Sequence, residues 1–407
     1  MAHVMLTFLG RVPKDQGGYR KTPYDFGDMV QEAPTAFFGW PLQRRLAPDK
    51  LVILGTSGSM WDHLFEGDLP FGDAEQSARD ALYEAVDEKR VTPSHLEPLE
   101  PLLSGRLGCE VILDLIPYCR DATEQVQLLE IMASHVGQGD RVDLDVTHGF
   151  RHLPMVALLS ALQLQTMRQA EVAGIWYGSF DPDTQEAPVY NLSGLLHIAE
   201  WLQALHTYDK DGDYSVFSPL IQTSAPALAE HLRQAAFYEQ VNNIGQARAP
   251  LRKFRQALAT TVQDPLLQLF ADELRQRTAW VENRTLAERQ YELAQHFLEY
   301  GDFLRAAILG FESLLTRLVQ DAPTQLDPMN HAHREQIKKQ WDADMRKPRQ
   351  KRNATEQAYL DLRELRNALA HGSRSHFGEI QEALSSEERL RSTLHQAIEL
   401  AHAGAKR

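Results

Sequence analysis

Apolar positions in the first ~195 residues fall in short dense runs separated by longer amphipathic stretches. The runs are VMLTFLG (4–10), KLVILGTSGS (50–59), CEVILDLI (109–116), RVDLDVTHG (141–149) and EVAGIWYGS (171–179). Each is rich in β-branched or aliphatic residues, and four of the five close on Gly or Ser. Near-continuous apolar runs of this length predict strands buried on both faces, as in a parallel sheet. Between them, EQSARDALYEAVDEKR (75–90) and LPMVALLSALQLQTMRQA (153–170) carry helical spacing. Strands alternating with helices predict βαβ units and an α/β, Rossmann-like open sheet.

The pattern changes after Leu195. Apolar residues now recur every three or four positions, as in LLHIAEWLQALHTY and TLAERQYELAQHFLEYGDFLRAAILGFESLLTRLV, and strand-like runs are few. The Gly/Asp-rich break DKDGDYS (209–215) interrupts the helices. The predicted layout is a sheet domain over 1–195, a helical connector over 196–284 and an all-α C-terminal domain over 285–407.

Composition narrows the function. The chain has 407 residues and a net charge of −14, from 42 basic and 56 acidic side chains. Such an excess argues against non-specific duplex DNA binding, which needs broad phosphate neutralisation. Residues 334–374 are the exception, with 11 Lys/Arg against 6 Asp/Glu around MRKPRQKRN (345–353). That stretch is either a solvated loop or an electrostatic path for a polyanion. No apolar run approaches the ~20 residues that cross a bilayer. The start, MAHVMLTFLGRV, reads as a first strand and not as a signal peptide. Cys109 and Cys119 cannot make a disulfide framework, which fits a reducing cytoplasm.

In open α/β sheets, ligands bind beyond the carboxyl ends of the strands. Here those ends are small and polar. The first closes on Gly10 and Arg11, before a loop with Gly17, Gly18 and Tyr19. The second closes on GTSGSMWD (55–62), the fourth on DVTHGFR (145–151) and the fifth on WYGSFD (176–181). Thr56, Ser57 and Ser59 offer hydroxyls, Gly58 permits close backbone approach, and Trp61 offers a ring to stack on a base. The stretch is neither a Walker A loop nor G-x-G-x-x-G. A plain helix-capping turn remains the alternative. In the fourth end, Asp145 and Thr147 can bond the turn, Gly149 allows close approach, and Arg151 sets a charge at a helix start. His148 and His152 stand four apart, but no third ligand accompanies them, so no metal is expected.

A second cluster lies in YLDLRELRNALAHGSR (359–374). Arg366, Asn367 and His371 sit in a helical pattern that a glycine stops. Positions i and i+5 lie about 140° apart on an ideal helix. Arg366 and His371 therefore do not share a face, whereas Asn367, His371 and Glu364 nearly do. Two copies facing each other could build one composite site. A salt-bridged arginine and a capping histidine are the structural alternative.

LDVTHGFRHLP resembles the Asp-x-Thr-His-Gly signature of the CRISPR-associated CARF proteins of the DxTHG family. LGTSGSMWD and the FLG strand with its Tyr-containing loop are similar to other motifs of that group. The resemblance implies a homodimeric sensor of cyclic oligoadenylate, tetra-adenylate favoured over hexa-adenylate, in type III CRISPR antiviral defence. Ligand contacts would come from Gly10, Arg11, Tyr19, Thr56, Ser57, Gly58, Ser59, Met60, Trp61, Thr147, His148, Gly149 and Arg151. RNALAH similarly resembles the HEPN ribonuclease motif. It implies metal-independent, cofactor-free cleavage of single-stranded RNA in a prokaryotic cytoplasm. In the implied reaction a ribose 2′-hydroxyl would attack the adjacent phosphate and expel the 5′-oxygen, leaving a 2′,3′-cyclic phosphate and a 5′-hydroxyl. His371 would move the proton, Arg366 would hold the phosphate and Asn367 would position one of them. Two alternatives stay open: a ring nuclease that linearises the messenger with help from Thr56, Ser57 or His148, and a signalling protein that only binds it.

Overall fold

The computed structural model describes residues 1–15, 18–28, 32–66, 68–69, 71, 76–149, 152–260, 264–345, 352–372 and 377–403. The chain divides into two compact units, Met1–Ile198 and Ala199–Arg407. Residues 199–284 and 285–407, separated in the sequence reading, thus share one unit.

Among the described residues eight strands are formed: β1 (His3–Leu9), β2 (Lys14–Asp15), β3 (Gly18–Tyr19), β4 (Lys50–Gly55), β5 (Glu110–Leu115), β6 (Arg141–Asp145), β7 (Glu171–Gly178) and β8 (Val189–Asn191). Six of them make one sheet in the order β5-β4-β1-β6-β7-β8. The first five run parallel, and β8 pairs antiparallel to β7. β2 and β3 form a separate small hairpin.

The dense apolar runs are explained by two cores. Met5 and Leu9 of β1, with Leu51 and Ile53 of β4, face the helices Gly39–Leu46, Gln76–Asp87 and Glu100–Leu107. Val4, Leu6 and Phe8, with Val52 and Leu54, face the helices Ala122–Ser134 and Leu153–Arg168. Alternate residues bury on opposite faces, so both parities must be apolar.

Two strands stop earlier than their apolar runs. β4 ends at Gly55 and β6 at Asp145, four residues short in each case. Side chains of the runs themselves cause this. Ser59 Oγ accepts from Thr56 N at 3.0 Å, and Asp145 Oδ1 accepts from Thr147 N at 2.8 Å. Each bond turns the backbone out of the ladder. β8 is only three residues of mixed exposure, too short for a periodic signal.

The second unit is helical. Its helices Leu286–Tyr300, Ala354–His371 and Glu387–Ala403 all pack on Phe303–Gln320. Gly310 allows this approach: a Cβ there would lie 2.8 Å from Ile398 Cγ1 and 3.3 Å from Leu362 Cδ2. Capping boxes at Thr285/Glu288 and Asn353/Glu356 start two of these helices.

Candidate functional site: a sheet-end cleft and a helix-end motif

The strand order places β1 at the reversal of the sheet. The chain winds outward through β4 and β5, then crosses back to β6. The crevice between the ends of β1 and β6 is the expected ligand position. There Gly10 and Gly149 meet backbone to backbone. A Cβ on Gly10 would lie 2.4 Å from Gly149 N, and Gly149 itself has φ +109°. Both positions demand glycine, for proximity and for conformation. The crevice opens into a cavity of ≈ 390 Å³, bordered by Arg11, Thr56, Gly58, Ser59, Lys89 and Tyr118 among others.

The 55–62 turn is built from inside. Ser59 N donates to Thr56 O at 3.0 Å, Trp61 Nε1 donates to the same carbonyl at 2.8 Å, and Met60 N donates to Gly10 O at 2.9 Å. Met60 and Trp61 are fully buried in the core. They hold the turn and do not border the cleft. Thr56, Gly58 and Ser59 do border it. Tyr19 is buried as well and donates to Asp62 Oδ1 at 2.8 Å. Burial and the Asp62 carboxylate push its phenol well above the usual tyrosine value, with Arg11 acting in the opposite direction. Tyr19 therefore anchors the loop that follows Arg11, and does not border the cavity.

The 145–149 turn divides its residues between two roles. Asp145 is fully buried, accepting from Thr7 Oγ1 at 2.5 Å across β1 and from Thr147 N. Thr147 Oγ1 accepts from Gly178 N at 2.8 Å, tying the turn to β7. His148 points inward: its Nε2 accepts from Phe38 N at 3.0 Å, and its ring lies beside Phe37. Burial, then the nearby His63, lowers its pKa to about 4. His148 is thus a neutral core histidine that does not border the cleft. Gly149 alone of this trio borders the cleft. Arg151 lies outside the described residues, as does Gly17. Among the described residues, no group of three or more His, Cys, Asp or Glu is placed to hold a metal.

Asp145 makes stability depend on pH. Burial raises its pKa to about 6 from 3.8, against the opposing hydrogen bonds. Between these values the folded state holds the proton that the unfolded chain has released. Stability therefore falls as pH rises from about 4 to 6, by on the order of 2–3 kcal/mol, and is flat above. Asp145→Asn, which mimics the protonated acid, is expected to raise the melting temperature at pH 7 and leave it nearly unchanged at pH 4. Equal melting curves at both pH values would contradict a strained buried carboxylate.

Two cleft residues escaped the sequence reading. Lys89 follows a helix with φ +55°, and Tyr118 follows β5 in PYCR. The carboxyl end of the third apolar run was the one parallel end left unread, and inspecting it would have found Tyr118. Lys89 had no comparable signal, because only folding brings a helix terminus to this rim.

In the second unit, Arg366, Asn367 and His371 lie on the helix Ala354–His371, which Gly372 ends at φ +59°. The guanidinium of Arg366 donates to Asn367 Oδ1 at 2.9 Å and lies 4.7 Å from the centre of the Phe311 ring. Arg366 and Asn367 are half-buried and held together; His371 is exposed at the last helical residue. The basic stretch nearby is less positive than its composition. Arg334 pairs with Glu312, Lys338 with Glu335, and Arg363 with Asp342 and Glu364. Residues 346–351 lie outside the described set.

Comparison with known proteins bears on the sheet domain. Residues 4–182 match the family described as the CARF domain of the CRISPR system endoribonuclease Csx1. The CRISPR-associated protein MJ1674 of Methanocaldococcus jannaschii is 24% identical over 259 residues, 59% of this chain. The match covers 41% of that relative's length. No helix among the described residues is long and apolar enough to cross a membrane.

Proposed function

We propose that this chain, whose residues 4–182 match the CARF domain family, is a cyclic-oligoadenylate-activated endoribonuclease of type III CRISPR antiviral defence. The sheet domain binds the cyclic messenger, and the helical unit cleaves single-stranded RNA in the prokaryotic cytoplasm. The observation that carries the reading is the cleft at the reversal of the sheet. Two glycines bring backbone amides to it, Thr56 and Ser59 border it, and Arg11 and Lys89 supply charge for phosphates.

Size and surface support a homodimer. A cavity of ≈ 390 Å³ lies at the low end of the ~300–1,000 Å³ range of small-molecule sites, too small for a ring of four nucleotides. Two clefts sharing one ring remove the mismatch. The helix Leu153–Arg168 begins at the cleft with Leu153 and exposes Met155, Leu159 and Met167 at 72%, 58% and 68%. That is an apolar surface suited to a second copy.

For RNA cleavage, Arg366 holds the phosphate, Asn367 fixes the guanidinium and His371 moves the proton. The exposed helix end leaves His371 open to a partner's Arg366, so that two copies complete one site. Titration calorimetry with cyclic tetra- and hexa-adenylate, paired with a fluorescent RNA cleavage assay, tests the whole reading. No ligand-stimulated cleavage with either ring would sink it. Arg11→Ala is expected to weaken ring binding by about 10–100-fold, the worth of one charge-assisted contact, with no change in melting temperature. Parent affinity in that variant would take Arg11 out of the cleft.

A further inference from the structure

The donor cluster of the 56–58 turn already has an occupant from the chain itself. Tyr118 Oη lies 3.2 Å from Ser57 Oγ. A Cβ on Gly58 would fall 3.1 Å from the same phenolic oxygen and 3.8 Å from Lys89 Cβ. The phenol oxygen thus sits over the space that Gly58 keeps clear, which the aliphatic stem of Lys89 also borders. The donors there favour negative charge: the Ser57 hydroxyl first, then Thr56, the Arg120 cation and the Gly58 backbone hold the phenol below the usual tyrosine value, although burial opposes them. A neutral phenol is a poor occupant of such a spot, and a phosphate oxygen is a better one. The ring is not locked into the core. It is half-buried, borders the cavity, and carries the Arg120 guanidinium 4.6 Å from its centre. The next residue, Cys119, has φ +56°, a conformation an L side chain adopts at some strain.

We propose that Tyr118 is a gate in the cleft, its hydroxyl filling the donor cluster of the 56–58 turn until a phosphate of the incoming ligand displaces it. The proposal rests on the ligand reading above and adds a specificity-determining residue to it. A ligand must replace the phenol's hydrogen bonds before it gains its own, so only a group with more acceptor strength than a phenol enters. Neutral nucleosides are excluded by this rule; phosphodiesters pass.

Tyr118→Phe keeps the ring and removes the occupant. It is expected to bind cyclic tetra-adenylate about three- to ten-fold more tightly than the parent, the range of one net hydrogen bond. Ser57→Ala is expected to weaken binding in both the parent and the Tyr118→Phe background. A second readout needs no ligand. The ultraviolet titration difference between parent and Tyr118→Phe isolates this phenol, which is expected to ionise below the ordinary tyrosine value and to shift upward in Ser57→Ala. If both proteins bind the ring and Tyr118→Phe binds equally or more weakly, the gate falls and the ligand reading stands. If neither binds, the ligand reading falls and takes the gate with it. A phenol that titrates at or above the ordinary value also overturns the gate, because the cluster then does not favour an anion.

Discussion

Replacing His371 with alanine is expected to lower ligand-stimulated RNA cleavage by about 10²–10⁴-fold, the usual contribution of a positioned proton-transfer group. Ring binding should stay at the parent level, because His371 and the cleft belong to different units. Little stability should be lost: His371 is exposed at the last helical residue, and Gly372 still ends the helix. Arg366→Ala is expected to cost about 10²–10³-fold through lost charge stabilisation. It should also loosen the helix packing, since the guanidinium lies over Phe311. The two variants are therefore distinguishable by melting temperature as well as by rate. Cleavage products ending in a 2′,3′-cyclic phosphate, found by mass spectrometry in the parent and absent in His371→Ala, would support the mechanism. Cleavage at the parent rate in His371→Ala would remove the residue from it.

The second large effect is expected from Leu159→Asp. Leu159 is 58% exposed, so a charge there costs the isolated fold little. In a symmetric dimer the same substitution places two carboxylates in one apolar interface, and each must be desolvated. Dissociation should strengthen by about 10²–10⁴-fold, a cost of a few kcal/mol. If the ring spans two clefts and the ribonuclease site needs two helices, that one substitution abolishes tight ring binding and RNA cleavage together. Sedimentation velocity would report the association state, and the cleavage assay the consequence. A variant that remains dimeric and active would place the interface elsewhere.

Much of the sheet domain could be read without the structure because parallel strands are buried on both faces. VMLTFLG and KLVILG have no polar parity to hide, and local composition suffices to mark them. The glycines at 10, 58 and 149 were legible for the same local reason: a strand end that turns tightly or meets another segment closely needs a residue without a Cβ. The stop at Gly372 was also local. By contrast, Met60, Trp61, Tyr19 and His148 were read as facing the ligand and turned inward. A turn of mixed residues has no period, so nothing in GTSGSMWD or DVTHGFR says which side chains the core will take. Pairing across β1 and β6 made that choice: with Thr7 opposite Asp145, the carboxylate is committed to the interior and His148 is drawn under Phe38.

By itself, the sequence determined the alternation of strands and helices, the later change to an all-helical pattern, the glycine-bearing strand ends and the helix carrying Arg366 and His371. All of these depend on residues within one or two turns of each other. The tertiary structure alone decided that Gly10 touches Gly149 and that Tyr118 lies on the 56–58 turn with Lys89 beside it. Those contacts join positions tens of residues or more apart, and the order in which strands pair is a property of the assembled sheet, written in no single segment.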